Sequence, residues 1–156
     1  MIDIRFSGLN FSNQDEIRRV ARVHVEAPLD WIEGYHVSEE AVEQTYKVLG
    51  ESEDNPKTHV IVARDKDERL VGFHWISIVL DDEDSGRIES LWVDENYRRK
   101  GIATKLKVLG EIWMKENGAI QVLTTVFYVN KKMIDLNIKE GFTPGQVQMT
   151  KRLSAT

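Results

Sequence analysis

Short runs that alternate apolar and polar side chains are interleaved with stretches whose apolar positions recur every three or four residues, and together they divide the chain into elements. Ile2, Ile4 and Phe6 fall on one face of an extended segment, which predicts a first strand over 2–6. Ser12, with Asp15 three residues on, predicts a capped helix running to about Val25, and Pro28 blocks its continuation. Residues 27–37, with Trp31, Tyr35 and His36, show no clear period and read as a loop or short turn of helix. Ser38 opens a second helix with Val42, Tyr46 and Leu49 on one face before Gly50. Residues 58–64 and 69–80 read as strands joined by the polar turn 65–68, a hairpin by its turn chemistry. A second turn, 81–86, leads into a strand over 87–93 that is bulky on both faces, hence central and covered on both sides. Ile102, Leu106, Leu109 and Trp113 predict a helix over 101–116, stopped by Asn117 and Gly118. A strand over 120–126, a helix over 130–139 ending at Gly141, and a last strand over 147–153 complete the pattern. The order predicts one α/β domain over residues 1–156 with a mixed sheet.

Composition narrows the chemistry. The 156 residues are 41% hydrophobic and 30% charged, a balance that supports a packed core and excludes low-complexity disorder. There is no cysteine, which excludes disulfides, thiolate metal sites and a cysteine nucleophile. The four histidines, His24, His36, His59 and His74, form no HExxH or HxH pair, so no metal is expected. The opening residues MIDIRFSGLN lack the apolar stretch of a signal peptide, and the longest apolar run falls far short of the ~20 residues that span a bilayer. A cytoplasmic protein without a membrane partner is the expectation.

Charge is unevenly divided. Residues 1–90 carry 10 Lys and Arg against 20 Asp and Glu, whereas residues 91–156 carry 11 against 6, which makes the net charge of -5 the sum of -10 and +5. The split points to one part facing a cation and the other an anion.

The anion side centres on residues 88–103, IESLWVDENYRRKGIA. A buried strand delivers the chain into a short loop with Arg98, Arg99 and Lys100 in succession, and Gly101 and Ala103 then begin a helix. The first amides of a helix have no intrahelical acceptor and lie at the positive end of its dipole. With small residues there, a diphosphate can approach the bare N–H groups.

Arg98-Arg99-Lys100-Gly101-Ile102-Ala103 resembles the acyl-CoA-binding motif Arg/Gln-x-x-Gly-x-Gly/Ala of the GCN5-related N-acetyltransferases, and the strand before it resembles the family's approach to that motif. Further on, Asn130, Leu136, Gly141 and Phe142 match the family's Asn-x-x-Ala-x-x-Leu-Tyr-x-x-x-Gly-Phe pattern. The resemblance covers roughly residues 55–153 by motif and element, and it implies the family's mixed, mostly antiparallel sheet flanked by helices. It divides the domain into an acceptor side over about 1–55 and an acetyl-CoA-binding core over about 56–153. It further implies that acetyl-CoA inserts its pantetheine into an opening between the strands around Val93 and Val126. Backbone groups of Trp92 and Val93 would bind the pantetheine and Asn130 would support it. The amides of Arg99, Lys100, Gly101, Ile102, Ala103 and Thr104 would hold the pyrophosphate, aided by the basic side chains of Arg98, Arg99 and Lys100.

The resemblance breaks at the tyrosine that in the family protonates the departing thiolate, because Asn137 stands there and an amide does not release a proton at neutral pH. Tyr128 is the substitute acid by position, and it serves equally as an aromatic filling a sheet edge. For the base, Glu89 is the candidate, since a charge within an otherwise apolar strand requires a reason. A hairpin centred on 83–84 would place His74 opposite Val93, on the face of Glu89, as a second candidate.

These readings converge on direct transfer of acetyl from acetyl-CoA to a primary amine, with no cysteine to carry the group. The acidic part, near Trp31, Tyr35 and His36, favours a cationic small molecule or a peptide amine. The rival readings are transfer of a longer acyl chain and an acyl-CoA-binding sensor or scaffold without turnover. Nucleic acid is disfavoured by the acidic net charge. Homodimers are common in the family, so a homodimer is among the expectations.

Overall fold

The computed structural model describes residues 3–79 and 84–154. The chain forms two compact units, one up to Thr124 and one from Thr125 onward.

The first unit is a five-stranded sheet in the order β1 (Arg5–Gly8), β2 (Thr58–Arg64), β3 (Leu70–Val79), β4 (Ser85–Val93) and β5 (Gln121–Leu123). All pairs are antiparallel except β4 with β5. β1 begins later than the expected 2–6, and β5 is only the core of the expected 120–126. Of the turn expected at 81–86, residues 81–83 lie outside the described residues, and Ser85 and Gly86 already belong to β4.

Helices α1 (Gln14–Glu26) and α2 (Glu39–Glu51) cover one face of the sheet, and α3 (Ile102–Glu116) covers the other. Asn13, rather than Ser12, caps α1: its side chain accepts from the Glu16 N–H at 3.1 Å. Ser38 caps α2 as expected. Ile17, Val20, Leu49, Val62 and Phe73 are buried under α1 and α2, while Ile61, Ile76, Ile102, Leu106 and Met114 are buried under α3. Each such side chain contributes roughly 1.5–3 kcal/mol on leaving water. A buried ion pair ties α1 to β2: Arg64 Nε and Nη2 donate to the two Glu16 carboxylate oxygens at 2.6 and 2.8 Å.

β3 and β4 fix the geometry that matters for chemistry. Gly72 pairs with Val93, His74 with Leu91 and Trp75 with Ser90, but Ile76 pairs with Ile88. One residue, Glu89, is therefore left over in β4 as a bulge. His74 lies opposite Leu91 rather than Val93, because at the turn end of the hairpin Val79 pairs with Ser85 rather than with Ile88. The extra residue interrupts strict alternation along β4: Ile88 pairs on the α3 face, and Trp92, four residues on, packs under α1 and α2.

The second unit contains α4 (Lys131–Lys139), capped by the Asn130 side chain on the Met133 N–H at 3.3 Å. The strand expected at 147–153 is not formed; Met149 and Leu153 are 88% and 86% exposed. Alternation supplies only the potential for a strand, and a strand exists when a second one takes up its N–H and C=O groups. No other strand is present among the described residues of this unit.

Candidate active site

β4 leads into the basic loop through a 3-10 turn at Glu95–Tyr97, capped by the Asp94 carboxylate on the Asn96 N–H at 2.9 Å. Two residues then adopt left-handed backbone conformations, Arg99 with φ 60° and Gly101 with φ 82°. Glycine takes this conformation freely, whereas arginine pays about 1–2 kcal/mol for it. Alternating left-handed residues curl the chain so that successive N–H groups converge, a shape suited to anions. Helix α3 begins immediately, with Gly101 at its N-cap and no side-chain cap bond. The amides of Ile102, Ala103 and Thr104 consequently lack an intrahelical acceptor. A side chain built on Gly101 would meet nothing within 4 Å, so the approach to these amides is open. Ile102, by contrast, is 4% exposed and anchors the helix start in the α3 core.

Arg98, Arg99 and Lys100 are all exposed. Arg98 turns back to the strand, its Nε donating to the Val93 carbonyl at 3.0 Å. Lys100 Nζ lies 5.9 Å from the centre of the Tyr97 ring. The loop is steadied from below by Asp65, which accepts from Tyr97 Oη and from the Asp67 and Arg69 N–H groups. Those donors hold its carboxyl below the usual range, the Arg69 amide first among them. A cavity of about 430 Å³ opens beside this loop, reaching Asn13, Arg19, Asp65, Arg69 and Tyr97, and Glu89 takes no part in lining it.

The outer edge of β4 is open beyond the bulge. β5 pairs only with Ser85, Gly86 and Arg87, and no described strand follows along Leu91 or Val93. The Asp94 N–H donates to the Val71 carbonyl at 2.8 Å, so Asp94 faces β3. Strand alternation therefore directs the backbone groups of Val93 and Leu91 to the open edge and those of Trp92 to β3. The Val93 carbonyl there already accepts from Arg98 Nε, and the Trp92 backbone is taken up by the sheet, so Leu91 rather than Trp92 is the neighbour of Val93 whose backbone faces that edge. The Trp92 side chain instead carries the Arg19 guanidinium, 5.3 Å from its ring centre. Val126, expected as the other wall, belongs to the second unit.

The bulge gathers a polar cluster under α1. Glu89 accepts a 2.6 Å hydrogen bond from Ser77 Oγ. His24, on α1, lies with its ring 5.0 Å from that of Trp75. Burial lowers the His24 pKa, and the negative charge of Glu89 opposes that shift. The Trp75 indole N–H is buried and has no hydrogen-bond partner among the described residues. Neither His24 nor Ser77 is marked by its place in the sequence; only the helix phase and the strand register bring them to Glu89.

His74 lies on the other face. It is 1% exposed, its Nδ1 is 3.3 Å from the Ser90 carbonyl, and a side chain on Gly110 of α3 would start 2.8 Å from its Nε2. Burial pushes its pKa down to about 4. It cannot share proton transfer with Glu89 across the sheet. Of the residues expected near an acceptor, Tyr35 donates its hydroxyl to the Val25 carbonyl at 3.1 Å and closes the end of α1, and His36 is exposed.

In the second unit Tyr128 is 61% exposed, with Lys131 Nζ 3.6 Å from its ring centre. Asn130 spends its side-chain oxygen on the helix cap, which leaves its amide N–H groups as donors.

No helix among the described residues is long and apolar enough to cross a membrane. Comparison with known proteins places these features in a family. Residues 20–142 match the profile described as acetyltransferase (GNAT) family. The chain is 32% identical over 87 residues to the mycothiol acetyltransferase of Propionibacterium freudenreichii subsp. shermanii, a match covering 54% of this chain and 27% of that protein. It therefore spans about a quarter of the length of that curated relative. Among solved structures, a Pyrococcus furiosus protein assigned as an acetyl transferase superimposes with a TM-score of 0.74 at 22% identity, covering 97% of this chain and 100% of that one. The aminoglycoside N-acetyltransferase AAC(6')-Iy in complex with CoA gives 0.73 at 15% identity, covering 99% and 97%. Glucosamine-6-phosphate N-acetyltransferase from Arabidopsis thaliana gives 0.63 at 17% identity, covering 97% and 99%. These likenesses establish the shared fold, and the matched span takes in α1 from Val20 onward, the bulged strand, the basic loop and α4: the chain belongs to the acetyltransferase (GNAT) family.

Proposed function

We propose that the protein is an N-acetyltransferase that moves acetyl from acetyl-CoA directly to a primary amine. The observation that carries this reading is the uncapped start of α3, approached through left-handed Arg99 and Gly101 at the end of a strand with an open edge. The amides from Arg99 to Thr104 would bind the pyrophosphate, with Arg98, Arg99 and Lys100 neutralising its charge. Backbone groups of Val93 and Leu91 would pair with the pantetheine, and the Asn130 amide would support it.

The amine arrives as an ammonium and must lose a proton before its nitrogen attacks the thioester carbon. Glu89 takes that proton, directly or through water. In the tetrahedral adduct the nitrogen still carries its second proton; as the adduct collapses and the C–S bond breaks, the thiolate takes a proton from Tyr128, which the nitrogen's proton then restores, or from water since Asn137 cannot supply one. The polar cluster under α1 lies in the acidic part of the chain, so the acceptor is a cationic small molecule or a peptide amine. The names of the relatives widen rather than settle this choice, since they include an aminoglycoside acetyltransferase and a sugar-phosphate acetyltransferase.

The test incubates acetyl-CoA with spermidine, kanamycin, glucosamine and a lysine-containing peptide, and follows free thiol. A protein with no cysteine contributes no thiol background. Amine-dependent thiol release supports the enzyme. Tight CoA binding with no release for any amine supports the second reading, a CoA-binding module without turnover, which Asn137 at the usual acid position favours.

A further inference from the structure

A bulge is an irregularity that something must hold. At Glu89 the β3–β4 ladder slips by one residue: Ser90 still pairs with Trp75 and Ile88 with Ile76, and Glu89 between them is left unpaired. Two side chains of β3, one on each face of the sheet, close on this point. Ser77 Oγ donates to Glu89 Oε1 at 2.6 Å from the α1 face. His74 Nδ1 meets the Ser90 carbonyl at 3.3 Å from the α3 face. A carbonyl oxygen only accepts, so this contact is a hydrogen bond when the neutral ring carries its proton on Nδ1.

The rest of the His74 surroundings is built to that contact. A buried imidazole costs more than an aliphatic side chain of similar size unless its polar atoms are used. Room for it comes from Gly110, where a side chain would start 2.6 Å from Cδ2 and 2.8 Å from Nε2 of the ring. Gly110 lies in the middle of α3, where glycine costs roughly 0.5–1 kcal/mol relative to alanine. The helix accepts that cost where the ring needs the space.

We propose that His74 is a positioning residue for the transfer reaction: its Nδ1–H, donated to the Ser90 carbonyl, holds the β4 bulge that turns Glu89 to the α1 face, with the Ser77 hydroxyl as the opposing clamp. This rests on Glu89 as the base and extends that reading to the residues that aim it. A core histidine that served packing alone would carry its proton on either nitrogen and would be replaceable by any side chain that fills the same space.

The experiment begins with the unmodified protein. Nitrogen-15 NMR of the His74 ring identifies the protonated nitrogen, and the Nδ1–H tautomer is the expected result. The Nε2–H tautomer overturns the proposal, because the Ser90 carbonyl would then face a bare nitrogen. A matched pair of variants follows, measured with the amine of the panel above that gives the fastest thiol release. Leu and Asn have the same shape, and only the Asn amide places a donor where Nδ1 stood. His74→Leu is expected to lower kcat about 10- to 100-fold with KM for acetyl-CoA unchanged, the scale of a small misplacement of a reacting group. His74→Asn is expected to recover most of the loss. Equal kcat for the two variants, with Glu89→Gln impaired, also overturns the proposal. Should Glu89→Gln turn over normally, the base assignment fails by itself, and the His74 clamp is then decided by the tautomer alone.

Discussion

The two ends of the working half of β4 use different parts of the polypeptide. At its C-terminal end the features that suit an anion are backbone features: left-handed Arg99 and Gly101, and the unpaired first amides of α3. Four residues back from Val93, at the bulge, they are side chains: Glu89 held by Ser77, with His24 across from it on α1. The loop end is exposed and open, and the bulge end is packed between α1 and α3. A diphosphate offers many oxygens and tolerates several cradles, whereas proton transfer demands one group within hydrogen-bond reach. Tolerance and demand fall where the structure is open and where it is packed.

The sharpest way to break this comparison is Glu89→Gln. It should lower kcat by about 10²–10⁴-fold, the usual worth of a general base, with KM for acetyl-CoA unchanged. Steady-state kinetics with varied acetyl-CoA check both numbers. A normal kcat with a raised KM would make the bulge part of the cofactor site and erase the division.

The packed end should also be legible in the pH dependence of stability. His74 has a folded pKa of about 4 against an ordinary 6.5, because burial disfavours its charged form. Between those values the unfolded chain binds a proton that the folded one refuses. Stability from this group is therefore complete above about pH 6.5, falls as pH drops toward about 4, and levels off below; the full loss is about 3 kcal/mol. His24 and His59, lowered chiefly by burial, act in the same direction. Lys107 of α3 adds its charge against protonation of His74. Thermal melts of the parent and His74→Leu between pH 7.5 and 4 should converge as pH falls. A parent no more acid-sensitive than the variant would mean that the ring takes up its proton while folded.

Gly110→Ala probes the same packing from the helix side. The new methyl would start within 3 Å of the imidazole, so the ring or the helix must shift. Overpacking of this kind costs roughly 1–3 kcal/mol, readable as a lowered melting temperature. The better helix propensity of alanine offsets up to about 1 kcal/mol of it. A stabilised variant would show that α3 has slack over His74.

The contrast also explains what could be read in advance. The loop was legible because its conformation is written in residue types: Gly101 for the left-handed turn, Ala103 for the clear approach, Asn130 for a later helix cap. Most elements were legible for the same reason, since Thr58–Arg64 and the apolar face of α3 carry their period in the sequence. The bulge was not, because one extra residue in β4 leaves alternation unchanged on either side and appears only when Ile76 meets Ile88. That single slip puts Glu89 on the face opposite to His74 and Leu91. His24 was invisible for a related reason: its partners lie on β3 and β4, more than 50 residues away. Residues 147–153 depart the other way, with alternation present and no strand among the described residues of their unit to answer it.

The smallest effect falls at the loop, where Arg99 and Gly101 share one conformation and differ in cost. Gly101→Ala should destabilise by about 1–2 kcal/mol, because a left-handed residue gains a Cβ. Arg99→Gly removes that same strain and adds about 0.5–1 kcal/mol of chain entropy, so stability should rise by about 1 kcal/mol or stay level. If the strain serves binding, the relieved loop holds its amides less firmly, and KM for acetyl-CoA should rise several-fold although the protein is no less stable. Arg99→Asn separates this from the lost charge, since asparagine is neutral yet keeps the left-handed backbone far better than other side chains. A raised KM in Arg99→Gly with a near-normal one in Arg99→Asn would assign the role to the backbone. Equal increases in both would assign it to the guanidinium, and the loop would then work by side-chain charge, as the bulge end does.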